Sequence, residues 1–455
     1  MARNMTKFLM CALFCALPAA GAWADGAVYA MTNALGGNQI LVYHRNHSGT
    51  LSLMQTIATG GGGTGVQLSA VDSLASQGSL VLDEEHHLLF AVNTESLAAN
   101  TSASMINQDC QAGTITSFRV SGDGSLKFAD RIFSGGLFPN SLAVKTTDDG
   151  DDHGDDQGDH YGDLVYVLNA GGPGNNPVCS TSPNITGFRV NSRGNMSLLA
   201  GSVRPMIDPG PLDGTGSGVN CPPSGFPASF FCGLNPPAFP RSPGEVRFTP
   251  DGNQLVVTVK GTNSVYVFPV DEDGTVGTPT VSQAPGPALP TFFGFAFDKH
   301  EHLILTATFG TSPTIPAGGT GALSSFTITN SGTLQEISAD VGDGGTAACW
   351  VAIEPMAGKY AFVSNNLSNP GSLSSYSVGG NGSLTLLAAT AAPANGSNDL
   401  AVAVEGGASF LYALESLTGT VKAWRVNLAE GSLTLLQPPV AGLPVNAGAQ
   451  GLAAY

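Results

Sequence analysis

The chain ends in Gln450-Gly451-Leu452-Ala453-Ala454-Tyr455, and this stretch repeats the pattern of Gln77-Gly78-Ser79-Leu80-Val81-Leu82. Segments of this kind open the later repeats of the chain, but the repeat that starts near Gly26 has none. The C-terminus therefore carries the strand that the N-terminus lacks. An open sheet edge leaves unpaired N–H and C=O groups, and a circular array closed by its own tail removes that edge.

Two markers recur through the whole chain. The first is a strand with an aliphatic residue followed three places later by an aromatic: Ile40/Tyr43, Ile115/Phe118, Ile185/Phe188, Val265/Phe268, Leu323/Phe326, Leu373/Tyr376 and Val421/Trp424. The second is a turn glycine, a small polar residue and an aliphatic, as in Gly49-Thr50-Leu51, Gly124-Ser125-Leu126 and Gly382-Ser383-Leu384. Glycine supplies the positive φ that such hairpin turns often need. Each unit reads as four strands, a to d, with the tail-like segment as strand a. Seven such units, the first completed by the tail, predict an all-β, seven-bladed β-propeller of four-stranded antiparallel blades. A sandwich leaves the seven-fold period unexplained, and an open solenoid leaves the split first unit unexplained.

Length alone would suggest two or three domains, but repetition overrides that prior. Arg3 and Lys7 precede an apolar run over residues 8–17, and Ala22-Trp23-Ala24 offers an A-x-A cleavage site. Residues 1–24 are thus expected to be an export signal, and 25–455 a single propeller, secreted or periplasmic. The apolar run is too short to span a bilayer, so no membrane association is expected after cleavage. Five cysteines would remain. Cys221 and Cys232 share one loop, Cys110 and Cys179 lie in equivalent insertions, and an oxidising compartment permits both pairs. Cys349 is left over as a small buried hydrophobe. The net charge is −17, falling to −19 once Arg3 and Lys7 are lost with the leader. With no Lys/Arg cluster to meet a phosphate backbone, nucleic acid is not an expected partner.

The phrases Phe248-Thr249-Pro250-Asp251-Gly252 and Asn263-Ser264-Val265-Tyr266-Val267-Phe268, together with the Gly-Ser-Leu turns, resemble the seven-bladed propeller lactonases. That family includes bacterial 6-phosphogluconolactonases and fungal carboxymuconate cyclases. The resemblance spans nearly all of residues 25–455. It implies a substrate site over the central channel and no obligatory metal.

Strand direction alternates, so a–b and c–d turns share one end of the ring, and b–c and d–a connections share the other. Long insertions gather at the second end, at residues 94–113, 170–184, 309–322, 58–75 and 207–244, which marks it as the expected working face. Strands b end there in Asn33, Asn93, Asn169, Lys260, Thr308, Asn365 and Glu415. Gln77, Asn140, Glu245, Trp350, Asp399 and Gln450 stand near the starts of strands a. These polar groups would rim the channel mouth, although Asn at a strand end also serves its own turn. Arg247 occupies a position filled elsewhere by Val81, Ala143, Ala296, Ala352, Ala403 and Ala454. A lone guanidinium in a ring of small residues must be paired or face water. Two residues apart on one strand, Glu245 and Arg247 leave the same side of the sheet. They read as a base and a carboxylate clamp, or as an internal salt bridge that braces blade four. Lys260, in the paired strand, adds to the anion-binding reading. The expected substrate-binding set is therefore Lys260, Gln77, Asn93, Asn140, Asn169, Trp350, Asn365, Asp399 and Gln450.

All eight histidines fall on the opposite end by this register. The lactonase relatives commonly place histidine near the channel mouth, and here none is expected there. The acidic insertion at 148–163 is dense enough in carboxylates for Ca²⁺, and its histidines would suit Zn²⁺. It lacks a defined calcium-loop spacing and reads as a solvated loop. No G-x-S-x-G, H-E-x-x-H or phosphate-loop motif is present. Neither cofactor nor metal is expected. The expected function is lactone ring opening or closing by a monomer acting on a small carboxylate or lactone. The alternatives are a non-catalytic propeller that binds a ligand or a protein, and a secreted scaffold with an empty channel.

Overall fold

The tail strand Leu452–Ala454 pairs antiparallel with Ala27–Met31, setting Ala453 opposite Tyr29 and Ala454 opposite Val28. The bonds Met31 N–H to Gly451 O (2.9 Å), Gln450 N–H to Met31 O (3.2 Å) and Tyr455 N–H to Ala27 O (3.1 Å) extend this ladder at both ends. The rings of Tyr29 and Tyr455 stack at 6.3 Å. The ring is thus closed as the repeat pattern requires. These features come from a computed structural model, which describes residues 26–66, 72–94, 113–146, 161–171, 183–206, 243–283, 292–308, 321–366, 368 and 370–455. The expected leader at 1–24, Cys110, Cys179, Cys221, Cys232 and most of the acidic insertion lie outside the described residues.

Seven antiparallel sheets make up the fold. In blade one the order from the axis is Leu452–Ala454, Ala27–Met31, Gln39–Arg45, Leu51–Ala58. Blade four runs Pro243–Phe248, Gln254–Val259, Ser264–Pro269, Thr280–Gln283. Blades three and seven carry one short extra strand each. Among the described residues the only helical element is a 3₁₀ turn at Lys260–Thr262, and no helix is long and apolar enough to cross a membrane.

Residues three apart on a strand point to opposite faces. Both members of every aliphatic/aromatic marker are nevertheless buried, from Ile40 and Tyr43 to Val421 and Trp424. That follows from a ring in which each blade lies between two others. The marker glycines Gly49, Gly124, Gly194, Gly274, Gly332, Gly382 and Gly431 all have positive φ, between 71° and 83°, a conformation that costs a side-chain-bearing residue free energy. Buried tyrosines on strands b fasten these turns to the preceding blade. Tyr29 donates to Gly124 O (2.9 Å), Tyr166 to Gly274 O (2.8 Å) and Tyr412 to Gly49 O (3.0 Å).

In blades three to seven, strand a carries a register shift close to its start. Such a bulge re-aims the residues next to it. Beyond it the blades come into register. Arg247 opposes Val256 as Ala143 opposes Tyr166, Ala296 opposes Ile304 and Ala352 opposes Phe362, whereas in blade seven the matching residue is Ala401, opposite Tyr412, two places before the expected Ala403. Arg247 therefore does replace a small residue. Glu245 shares its register position with Ser141, Trp350 and Asp399, while Asn140 falls one residue before that position. Cys349 is a buried free thiol in strand Ala348–Ile353.

Candidate active site in the central channel

The rim expected at the insertion-bearing end is not an open mouth. Asn93, Asn140, Asn169, Trp350, Asn365, Lys260 and Gln450 are all buried, at 0–1% exposure. Three of the asparagines tie strand b to the start of strand c. Asn93 donates to Thr114 and Thr116 (3.2 and 3.0 Å), Asn169 to Asn184 (3.0 Å) and Asn365 to Ser374 (2.7 Å). This is the local structural role that the strand-end reading allowed.

The remaining rim groups hold a segment of the chain itself. Residues 72–77, from the connection between blades one and two, cross the ring interior. Leu74 N–H donates to Gln450 Oε1 (2.9 Å), and Gln450 Nε2 donates to Ser76 O (2.6 Å). Trp350 Nε1 also donates to Ser76 O (3.0 Å), and Ser76 Oγ donates to Asn140 O (2.6 Å). Lys260 Nζ donates to Ala75 O and lies 4.7 Å from the centre of the Phe293 ring. Lys260 was expected to join Arg247 as an anion clamp. Instead it sits under this segment, where burial pulls its pKa down and Asp72 partly restores it. Gln77 completes the plug: Nε2 donates to Val351 O and Oε1 accepts from Val351 N–H, both at 3.1 Å, across the axis in blade six.

Below Gln77 the channel is open. A cavity of about 510 Å³ is lined by Gln77, Val81, Ala143, Arg247, Asp399 and Ala454. Asp83, Glu84, Glu85 and Thr146 lie at its other edge. Those four lie at the ends of strands a or in the a–b turns that follow, so the opening lies at the end opposite the expected working face. That is also the end where the histidines were placed. A second recess of about 500 Å³, sharing Glu84, is lined by Arg45, His87, Glu405 and Tyr455.

Glu245 and Arg247 meet at the channel wall. Arg247 Nε and Nη2 donate to Glu245 Oε1 at 3.0 and 2.8 Å. Glu245 Oε2 accepts the Phe295 N–H of the next blade at 2.6 Å. The Glu245 side chain is fully buried, whereas Arg247 keeps 42% of its side chain exposed. The carboxylate thus holds the guanidinium in place and leaves its outer edge to the cavity. Burial raises the pKa of Glu245, and Arg247 offsets part of that rise. Asp399 is the second acid on the wall. It accepts from Leu400 N–H (2.9 Å) and Leu452 N–H (3.1 Å). Burial nevertheless pushes its pKa up to about 8, with the Glu245 carboxylate contributing. A carboxyl whose pKa is raised in this way, on the same cavity wall as a fixed guanidinium, is the kind of group that can pass a proton while the cation meets an anion.

Of the residues the sequence singled out, Arg247, Asp399 and Gln77 line this cavity and Glu245 anchors Arg247, whereas the plug and the open end were not foreseen. The one available signal was the length of the connection over residues 58–75.

No family model matches the chain, and no curated protein does. Solved structures do. The periplasmic gluconolactonase PpgL of Pseudomonas aeruginosa superposes with a TM-score of 0.60 at 14% identity, over 93% of this chain and 98% of that one. A Bacteroides fragilis protein provisionally described as a 6-phosphogluconolactonase gives 0.59 at 16% identity, over 95% and 98%. A Lactobacillus plantarum protein gives 0.60 at 15%, over 95% and 99%. Identity this low shows a shared fold. The seven blades and the coverage make this chain similar in architecture to the propeller lactonases.

Proposed function

We propose that the protein is an exported, cofactor-independent enzyme of the lactonase or cyclase type, acting on a small carboxylated substrate in the channel. The observation that carries this reading is Arg247, anchored by a fully buried Glu245 and facing a cavity that Asp399 also lines. In the hydrolytic direction, water adds to the lactone carbonyl, and Arg247 stabilises the oxyanion that forms. The ring C–O bond then breaks, the departing oxygen takes the proton of Asp399, and the Asp399 carboxylate is reprotonated by the proton released from the water that added. Glu245 is fully buried, ion-paired to Arg247 and bonded to the Phe295 N–H, and it is Asp399 that lines the cavity, so in this reading Glu245 positions Arg247 and does not itself move the proton. Location outside the cytoplasm rests on the leader read at 1–24 and is in keeping with the periplasmic PpgL.

A second reading, a binding propeller without catalysis, draws on the same engagement of Glu245. The two separate in one experiment. A panel of five- and six-membered lactones, with and without a second carboxylate, is tested against wild type, Arg247→Met and Asp399→Asn. Turnover by wild type, lost at least a hundredfold in both variants, supports the enzyme. A compound that binds wild type, is recovered unaltered, and loses affinity in Arg247→Met supports the binder. Equal turnover by all three proteins removes both residues from the mechanism.

A further inference from the structure

We infer that Asp83, His86 and Asp163 form a site for one divalent transition-metal ion, joining blades two and three at the open end of the channel. Asp83 ends strand Leu80–Asp83, His86 lies in the turn that follows, and Asp163 sits in strand Tyr161–Asn169 of the next blade. The packing of one blade on the next brings the three together. One ligand atom from each lies within 4.8 Å of the others. His86 Nδ1 is 2.8 Å from Asp163 Oδ2 and 3.4 Å from Asp83 Oδ2.

The two carboxylates are nearly inaccessible, with side chains 1% and 3% exposed, while the imidazole keeps 22%. Two buried carboxylates thus converge on one imidazole nitrogen, and a carboxylate taken out of water is costly unless a cation meets it. Asp83 gives an independent sign. Its Oδ1 accepts the Glu85 and His86 N–H groups (3.1 and 3.3 Å) and the Thr146 hydroxyl (3.3 Å). Its Oδ2 is buried and has no hydrogen-bond partner among the described residues. A carboxylate fixed through one oxygen by neighbouring N–H and hydroxyl groups, with the other oxygen aimed at a histidine nitrogen, is how metal ligands are commonly held.

The donor set selects the ion. One imidazole nitrogen and two carboxylate oxygens suit Zn²⁺ or Mn²⁺. Ca²⁺ would want six to eight oxygens. Metal–ligand bonds of about 2.1 Å in tetrahedral array place ligand atoms about 3.4 Å apart. The Asp83–His86 pair already has that spacing, and the His86–Asp163 pair needs to open by about half an ångström. Asp163 is the last residue of the acidic insertion singled out in the sequence. The site uses only its final carboxylate and does not depend on the proposed channel chemistry.

The test is titration of the chelator-treated full chain with Zn²⁺, Mn²⁺ and Ca²⁺ by calorimetry, for wild type, His86→Gln and Asp163→Asn. Thermal unfolding is recorded with and without each ion. One Zn²⁺ is expected to bind wild type, with Kd at least tenfold weaker in either variant. A metal-dependent rise in Tm is expected in wild type and not in His86→Gln. A Co²⁺-loaded wild type should show visible d–d absorption that His86→Gln lacks, a readout that does not depend on the folding of Asp163→Asn. Zn²⁺ binding with unchanged affinity and stoichiometry in His86→Gln would overturn the inference, as would absence of any Zn²⁺ or Mn²⁺ binding to wild type.

Discussion

Replacing Arg247 with Met leaves the Glu245 carboxylate without its cation. Removing one partner of a buried pair costs about 3–5 kcal/mol. Here the guanidinium is 42% exposed, so water screens the pair and the figure falls to about 2 kcal/mol. The carboxylate can also escape the cost by taking up a proton. Its pKa is already raised by burial, and Arg247 is the largest influence opposing that rise. Without Arg247 the folded-state value moves further above the unfolded one, which is about 4.3. The folded state then binds the extra proton, so stability is full below about pH 4 and is lost as pH rises through the folded-state pKa. Arg247→Met should cost less than about 1 kcal/mol at pH 5 and about 2 kcal/mol at pH 8. Urea unfolding at the two pH values reads this directly. The double variant Glu245→Gln/Arg247→Met carries no buried charge and should lie within about 1 kcal/mol of wild type at both. Equal destabilisation at pH 5 and pH 8, with strict additivity in the double variant, would refute the claim that Glu245 is a buried anion held by Arg247.

Deleting residues 451–455 exposes strand Ala27–Met31 and forfeits the burial of Leu452, Ala453 and Ala454, the Tyr29–Tyr455 stack and the ladder bonds. The loss is at least about 5 kcal/mol, comparable to the net stability of a typical protein, and should appear as a large fall in Tm and a gain in aggregation; wild-type stability would contradict ring closure by the tail. Gln450→Ala removes three bonds to residues 72–76 and should cost about 2 kcal/mol. Hydrogen exchange at Leu74 should then quicken at least tenfold while Thr116 stays protected, and unchanged exchange at Leu74 would show that the plug is held by other means.

The architecture was legible because its determinants are local and repeated. A turn glycine at Gly49 or Gly382 and an Ile40/Tyr43 or Leu373/Tyr376 pair each state a strand or a turn without reference to distant residues. The missing first strand, found again in Leu452–Ala454, gives the closure. Arg247 stood out because six blades put a small residue where one puts a guanidinium, and Glu245 lay two residues away on the same strand. What the sequence left open involves groups that meet only across the ring. Gln77 of blade two bonds Val351 of blade six, and residues 72–77 fill the end where an open mouth was expected. The pKa of Asp399 is raised by its depth in the channel wall and by the nearby Glu245 carboxylate, and neither can be counted along a strand. Repetition specifies a fold through short-range patterns, whereas the open end, the plug and the charge state of the site arise from burial and from contacts between blades that only the closed ring creates.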